Sequence, residues 1–290
     1  MASHIPACAD RLGAQSELGI TGRVYNPGII SLPRTPRVSN DAATIPAAFD
    51  PDVERFDDRV ILVTGAGDGI GRAVSVALAK RGATVVMIGR TTRKLEDVYD
   101  EIDTAGYTQP VIQPMNLEGA APPDYAKLAD DIGENLGRLD GILHNAALLG
   151  ALAPIELADL ELWYKVMQVN LNAPFMLTQA CLPLLRQSED ASIVFTSDAV
   201  GRKGKAYWGA YGVSKFGIEG LSQILADETE HEGRVRVNTI YPGPVATRIR
   251  RNAYPGESGN LHPAPAEVIA PFLYLLGPAS KGVTGQAFTR

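Results

Sequence analysis

Tyr211 and Lys215 lie four residues apart in the run Ala210-Tyr-Gly-Val-Ser-Lys-Phe216, and a helix places such residues on one face. A phenol and an ammonium would then meet. An isolated tyrosine titrates near 10, so it exchanges protons poorly at neutral pH unless a nearby cation stabilises its phenolate. Lys215 is placed to be that cation. The pair is short and common enough that its companions must decide its meaning.

The first companion is Arg59-Val-Ile-Leu-Val-Thr-Gly-Ala-Gly-Asp-Gly-Ile-Gly71, which continues into Arg72-Ala-Val-Ser-Val-Ala-Leu-Ala-Lys-Arg81. An apolar β-branched run that stops at alternating glycines before a helical pattern reads as strand, tight turn, helix. Gly65, Gly67, Gly69 and Gly71, with Asp68 and Ile70 between them, leave bare backbone where a helix begins. Exposed N–H groups and the helix dipole attract a phosphate there, so a pyrophosphate fits. The spacing is Thr-Gly-x-x-x-Gly-x-Gly rather than the commoner G-x-G-x-x-G.

Three further motifs follow in order: His144-Asn-Ala-Ala147, Val169-Asn-Leu171 and Tyr241-Pro-Gly-Pro-Val-Ala-Thr247. With the glycine turn and the Tyr211/Lys215 pair they resemble the short-chain dehydrogenase/reductase family, from about Arg59 to the C-terminus. The stretch from Phe195 to Tyr211 is similar to the family's bacterial YciK-type branch. The resemblance implies hydride transfer between a nicotinamide and a carbonyl or alcohol, with Tyr211 as acid/base. It implies that Lys215 lowers the tyrosine's pKa and holds the nicotinamide ribose, and that Asn170 positions a water linking Lys215 to solvent. Asn145 and Ala146 would support the strand beside the cofactor, and Pro242, Gly243, Val245 and Thr247 would pack on the nicotinamide. Asn116 and Leu117 stand where the family commonly has Asp and an aliphatic residue beside the adenine.

Cofactor choice is read at the end of the second strand, where a carboxylate suits a free ribose and a cation suits a 2′-phosphate. Gly89 is followed by Arg90, with Arg93 one turn on, so NADP(H) is favoured over NAD(H). Asp68, near the place of the adenosine ribose, argues the other way.

One position departs from the family. Its substrate-orienting serine lies thirteen residues before the tyrosine, which is Asp198 here, next to Ser197. An ionised aspartate cannot donate to a substrate oxygen and would raise the pKa of Tyr211. Either Asp198 is protonated and donates, or Ser197 takes the role by a twist or bulge of the strand end, or activity is impaired. Ser197 is the favoured choice. The alternative function is a dinucleotide-binding sensor or scaffold that has lost turnover.

These residues need a frame, and apolar runs at 60–64, 84–89, 110–115, 139–144, 191–196, 235–240 and 286–289 alternate with helical patterns. This predicts an α/β fold, a single Rossmann-type doubly wound parallel sheet of about seven strands flanked by helices, with the motifs at the strands' carboxyl ends. A helix over about 160–186 carries Phe175, Met176, Leu177, Ala180, Leu182, Leu184 and Leu185, apolar nearly all round, so it is covered on all sides. The resemblance makes that cover a homodimer or homotetramer interface. Residues 248–262 would form the substrate loop, and its three arginines could meet an anionic substrate.

The chain of 290 residues, 45% apolar, can bury one sizeable core. Residues 1–55 carry prolines at 6, 27, 33, 36, 46 and 51 and no sustained apolar period, which predicts a flexible extension before a domain at 56–290. They lack the pattern of a secretory or transit segment. A net charge of −6 with scattered cations excludes a nucleic-acid footprint. No apolar run reaches membrane-spanning length. Cys8 and Cys181 lie far apart, which favours a reducing, cytoplasmic setting. His4, His144, His231 and His262 show no metal-ligand spacing.

Overall fold

The computed structural model describes residues 42–290. Seven parallel strands form one sheet: β1 (Val60–Thr64), β2 (Thr84–Gly89), β3 (Val111–Pro114), β4 (Gly141–His144), β5 (Ala191–Thr196), β6 (Val235–Tyr241) and β7 (Ala287–Thr289). Their order is β3-β2-β1-β4-β5-β6-β7. The chain works outward from β1 in one direction and then restarts at β4 in the other. The crevice of such a sheet opens at that reversal, beyond the carboxyl ends of β1 and β4. Sheets covered on both faces are built of continuous apolar strands, and all five residues of β1 are buried. The predicted spans agree closely. β4 starts two residues later than its apolar run because Asp140 turns its carboxylate back to accept from Val60 N at 2.9 Å.

Alternate residues serve opposite faces. Ile61 and Val63 join α1 (Gly69–Ala79), α2 (Thr92–Thr104) and α8 (Ala270–Leu276) in one core cluster. Leu62 and Ile142 join α3 (Pro122–Leu136), α5 (Ala173–Leu185) and α6 (Gly209–Glu230) in the other. Each large side chain buried there, such as Phe272 or Leu273, contributes about 1.5–3 kcal/mol.

The helix expected over 160–186 is interrupted. It splits into α4 (Leu160–Met167) and α5, joined by a π turn at Gln168–Asn172. Pro174 lacks an N–H and its ring would crowd the carbonyl of Asn170 four residues back, so the ladder widens there. The Asn170 side chain is tied to Leu148, as described below. In α5 the apolar surface is not fully covered: Leu177, Cys181 and Leu185 are buried, whereas Phe175 is 48% exposed.

The flexible stretch expected through residue 55 is corrected for 42–55. Ala43 bridges Phe288 of β7, the Phe49 ring meets the edge of Tyr274 at 5.2 Å, and Glu54 accepts from Ala279 N at 3.0 Å. Aromatic anchors spaced without a period hold this segment down. Residues 1–41, with Cys8 and His4, lie outside the described residues.

At the amino ends of the strands, Arg236 is 3% exposed and donates to Asp190, Leu275 O, Ser280 Oγ and Gly277 O. Arg59 adds a second ion pair to Asp190. No described helix is long and apolar enough to cross a membrane. Among the described residues, no cluster of His, Cys, Asp and Glu could hold a metal.

Candidate active site

A cleft of about 390 Å³ opens over the carboxyl ends of the strands. One wall is the turn after β1. Gly65 has φ +70° and Gly69 has φ +54°, conformations that favour glycine. A Cβ on Gly71 would stand 2.3 Å from the Gly65 carbonyl oxygen, so the turn can fold tightly onto α1 only with glycine there. Thr64 Oγ1 accepts from Asn145 N at 3.0 Å and Ala146 N at 3.1 Å, locking the ends of β1 and β4 together. Asp68 Oδ1 accepts from Gly69 N at 2.8 Å and caps α1. These features make a bare, donor-rich cradle at a helix start, which fits a dinucleotide pyrophosphate.

Gly65, Gly67, Asp68, Gly69, Ile70, Arg90, Asn116, Leu117, Asn145, Ala146, Pro242, Gly243, Val245 and Thr247 all line this one cleft. Gly71 shapes it from behind, and Arg93 is not among its lining residues. Lys94 is, and sequence reasoning missed it. Its Nζ donates to Asp68 Oδ2 at 2.6 Å, and holds that carboxyl below its usual range. The acid that argued against a 2′-phosphate is thus already paired, and Arg90, exposed, lines the same cleft.

At the other end, Tyr211 and Lys215 project from the start of α6. Tyr211 Oη donates to Asp198 Oδ2 at 3.3 Å. Asp198 Oδ1 accepts from Val200 N at 3.1 Å and caps the short turn Ala199–Gly201. Gly201 permits that turn to lie on α6, since a Cβ there would stand 2.9 Å from Lys215.

The structure does not bring Ser197 to Tyr211. Ser197 N donates to Ile240 O at 2.8 Å, so sheet pairing runs on through this residue without a bulge. Side-chain alternation therefore turns Asp198, not Ser197, toward the tyrosine. Ser197 Oγ is buried in the cleft wall with no hydrogen-bond partner among the described residues.

The electrostatics follow burial and Asp198, as expected of an ionised aspartate, rather than Lys215. Burial first, then the Asp198 carboxylate, hold the Tyr211 phenol well above 10. Lys215 donates to Thr196 O at 2.7 Å, and its Nζ lies 5.5 Å from the Tyr211 ring centre. Burial pushes its ammonium down to about 8, opposed by Asp198 and Glu219.

Asn170, 2% exposed, clamps two elements. Its Oδ1 accepts from Leu148 N at 2.7 Å, and its Nδ2 donates to Leu148 O at 2.9 Å and Ser214 Oγ at 3.1 Å. Ser214 Oγ in turn donates to Tyr211 O at 2.7 Å. Asn170 thus holds the loop after β4 against α6, behind the cleft wall.

The substrate end contains residues the motifs did not show. Trp208, Tyr254 and Lys205 line it, with Lys205 Nζ donating to Tyr254 Oη at 2.7 Å and lying 5.5 Å from the Trp208 ring centre. The aromatic spacing just before Tyr211 was the available signal. In the loop after Thr247, α7 (Arg248–Ala253) places Arg248 and Arg250 on the cleft but not Arg251. Arg250 is clasped by Glu257 and lies 3.8 Å over the Tyr254 ring.

A seven-stranded parallel sheet with this glycine turn and a Tyr-x-x-x-Lys helix at one crevice defines an oxidoreductase architecture, and the short chain dehydrogenase model matches residues 59–258. The chain belongs to the short chain dehydrogenase family. It is 45% identical over 240 residues to the uncharacterised oxidoreductase YciK of Escherichia coli strain K12, covering 83% of this chain and 94% of that one. A short chain dehydrogenase structure from Pseudomonas syringae superposes with a TM-score of 0.81 at 50% identity, covering 85% of this chain and 99% of the other. One from Shigella flexneri 2a, solved with NADP, gives 0.79 at 45% identity, covering 81% and 98%.

Proposed function

We propose that this chain is an NADP(H)-dependent oxidoreductase that interconverts an alcohol and a carbonyl compound, with Tyr211 exchanging the substrate proton. The observation that carries it is the convergence of the glycine cradle, Tyr211 and Lys215 on one cleft. When bound, the nicotinamide accepts or supplies the hydride. Tyr211 Oη is the polar atom offered to the substrate oxygen, Lys215, positioned by Thr196 O, would hold the nicotinamide ribose, and Asn170 fixes the backbone on which Tyr211 stands. Trp208 and Tyr254 supply an apolar wall against a substrate body.

Preference for the phosphorylated cofactor is supported by Arg90 at the cleft, by the Asp68–Lys94 pair, and by the NADP in the Shigella relative. Fluorescence titration tests it: NADPH binds at least tenfold tighter than NADH, and Arg90→Ala removes most of that ratio. Equal affinities in the wild type would refute the preference. Turnover of a ketone and aldehyde panel, lost in Tyr211→Phe, tests the chemistry.

One observation favours a second reading, a dinucleotide-binding sensor. The Asp198 carboxylate occupies the tyrosine's hydrogen bond, and Ser197 does not reach it. Tight NADPH binding without turnover would select that reading.

The proposal extends to a cytoplasmic homo-oligomer. Phe175 on α5 and Val213, Phe216 and Ile224 on α6 are 45–60% exposed, an apolar set that a second copy would cover. Cys181 is buried and has no disulfide partner among the described residues, in keeping with a reducing compartment. Sedimentation would read a dimer or tetramer, and Phe216→Glu would shift it to monomer.

A further inference from the structure

We propose that ionised Asp198 is the terminal proton acceptor when the site oxidises an alcohol: Tyr211 takes the alcohol's hydroxyl proton on Oη while passing its own phenolic proton to Asp198 Oδ2. This rests on the alcohol–carbonyl reading above.

The geometry is that of a relay. Tyr211 Oη already donates to Asp198 Oδ2 at 3.3 Å, a length that tightens when a substrate settles. The other carboxylate oxygen is pinned by Val200 N at 3.1 Å, so Oδ2 is aimed rather than free to rotate. A tyrosine could otherwise act as a base only as phenolate. Here the phenol is buried beside a carboxylate, and the hydrogen bond that Lys215 makes goes to Thr196 O. Handing one proton on while receiving another needs no phenolate at any stage.

Other charged and titratable groups face this pair from each neighbouring element. Tyr241 comes from the end of β6 and Lys215 from α6; behind them Glu219 of α6 acts on Lys215, and Arg202 from the turn after β5, with Arg250 and Tyr254 from α7 and its exit, acts on Tyr241. Glu219 is committed to Arg202 at 3.1 Å and Thr239 Oγ1 at 2.8 Å, and Arg250 to Glu257. Asp198 is the carboxylate that meets the phenol.

The step balances. The alcohol O–H breaks as Oη–H forms, and the phenolic O–H breaks as Oδ2–H forms. The carbinol C–H electron pair leaves as hydride to the oxidised nicotinamide dinucleotide of the proposed function, closing the carbonyl. Asp198 ends neutral and returns its proton to solvent, to which it is partly open. The reverse reaction needs a protonated Asp198.

The test uses the full chain and its Asp198→Asn, Asp198→Ser and Tyr211→Phe variants, with NADP⁺, cyclohexanol and a panel of secondary alcohols. The relay requires wild-type kcat to be flat through neutral pH, with a curved proton inventory in H₂O/D₂O mixtures. Asp198→Asn, which accepts the hydrogen bond but not the proton, loses about 10²-fold or more in kcat. Asp198→Ser shows a linear inventory and a rate that climbs with pH. An Asp198→Asn variant as fast as the wild type, or an unchanged inventory in Asp198→Ser, overturns the relay. Ultraviolet difference titration of Tyr211 against Tyr211→Phe needs no substrate. Phenolate forms at lower pH in both Asp198 variants, and no change there also overturns the proposal. If Asp198→Ser turns over alcohols that the wild type does not, Asp198 is inhibitory and the relay fails while the dehydrogenase reading stands. Turnover by neither, with NADPH still bound, overturns the dehydrogenase reading and the relay with it.

Discussion

Lys94 Nζ lies 2.6 Å from Asp68 Oδ2, although the two residues are 26 apart in the chain and belong to different helix starts. The pair is about half exposed, so it adds little to stability. Its effect is on the charge met by an incoming phosphate. Lys94→Ala frees the Asp68 carboxylate, and NADPH affinity should fall about tenfold while NADH affinity changes less. Adding Asp68→Asn should return most of the loss. Parallel titrations of both cofactors read this, and an equal loss for both would show that Lys94 acts on something other than the extra phosphate.

His144 is buried, its ring stacked on Phe195 at 4.7 Å and its Nε2 2.9 Å from Thr178 Oγ1. Burial pushes its pKa from 6.5 down to about 3. Between those values the unfolded chain binds a proton that the folded chain refuses. Stability from this residue is therefore complete above pH 6.5 and is lost as pH falls toward 3, at about 1.4 kcal/mol per pH unit. Urea unfolding of His144→Asn should show that acid limb flattened by one proton, against the wild type.

Gly71→Ala would place a methyl 2.3 Å from one backbone oxygen and 2.7 Å from the Asn145 amide. Backbone cannot yield as a side-chain tip does, and such overpacking costs about 1–3 kcal/mol. The turn should open and dinucleotide affinity should drop more than tenfold. Gly119→Ala, with nothing within 4 Å of the added carbon, is the control and should change neither.

At the opposite ends of the strands, Asp190→Asn leaves Arg236 buried with its main counter-charge gone. Loss of one partner from such a pair costs about 3–5 kcal/mol. Chemical denaturation should report it, with no change in NADPH affinity for the protein that remains folded.

Much of the frame was legible because a parallel sheet needs uninterrupted β-branched runs, and Val60-Ile-Leu-Val and Val85-Val-Met-Ile stand out as such. The spacing of thirteen from Tyr211 pointed to Asp198. The preference for Ser197 required a bulge, and the bond from Ser197 N to Ile240 O leaves no room for one. The break in the long helix hangs on the combination of Pro174 with an Asn170 side chain engaged elsewhere, which no local pattern announces. Lys94 and Lys205 reach the cleft through tertiary apposition, whereas Tyr254 lies in the 248–262 loop expected to cover the substrate. The packing of Phe49 on Tyr274 depends on a helix more than two hundred residues later.

Ala43 hydrogen-bonds both ways with the last strand, its N donating to Ala287 O at 2.9 Å and its O accepting from Thr289 N at 2.8 Å. Among the described residues, Ala43 thus occupies the open margin of β7, where an unpaired row of peptide groups invites another chain to add on. Any N-terminal truncation of the chain has a sharp boundary to respect. Cutting before residue 42 keeps that cover, while cutting after 45 strips it and hands the β7 margin to the next molecule, with soluble yield the first casualty.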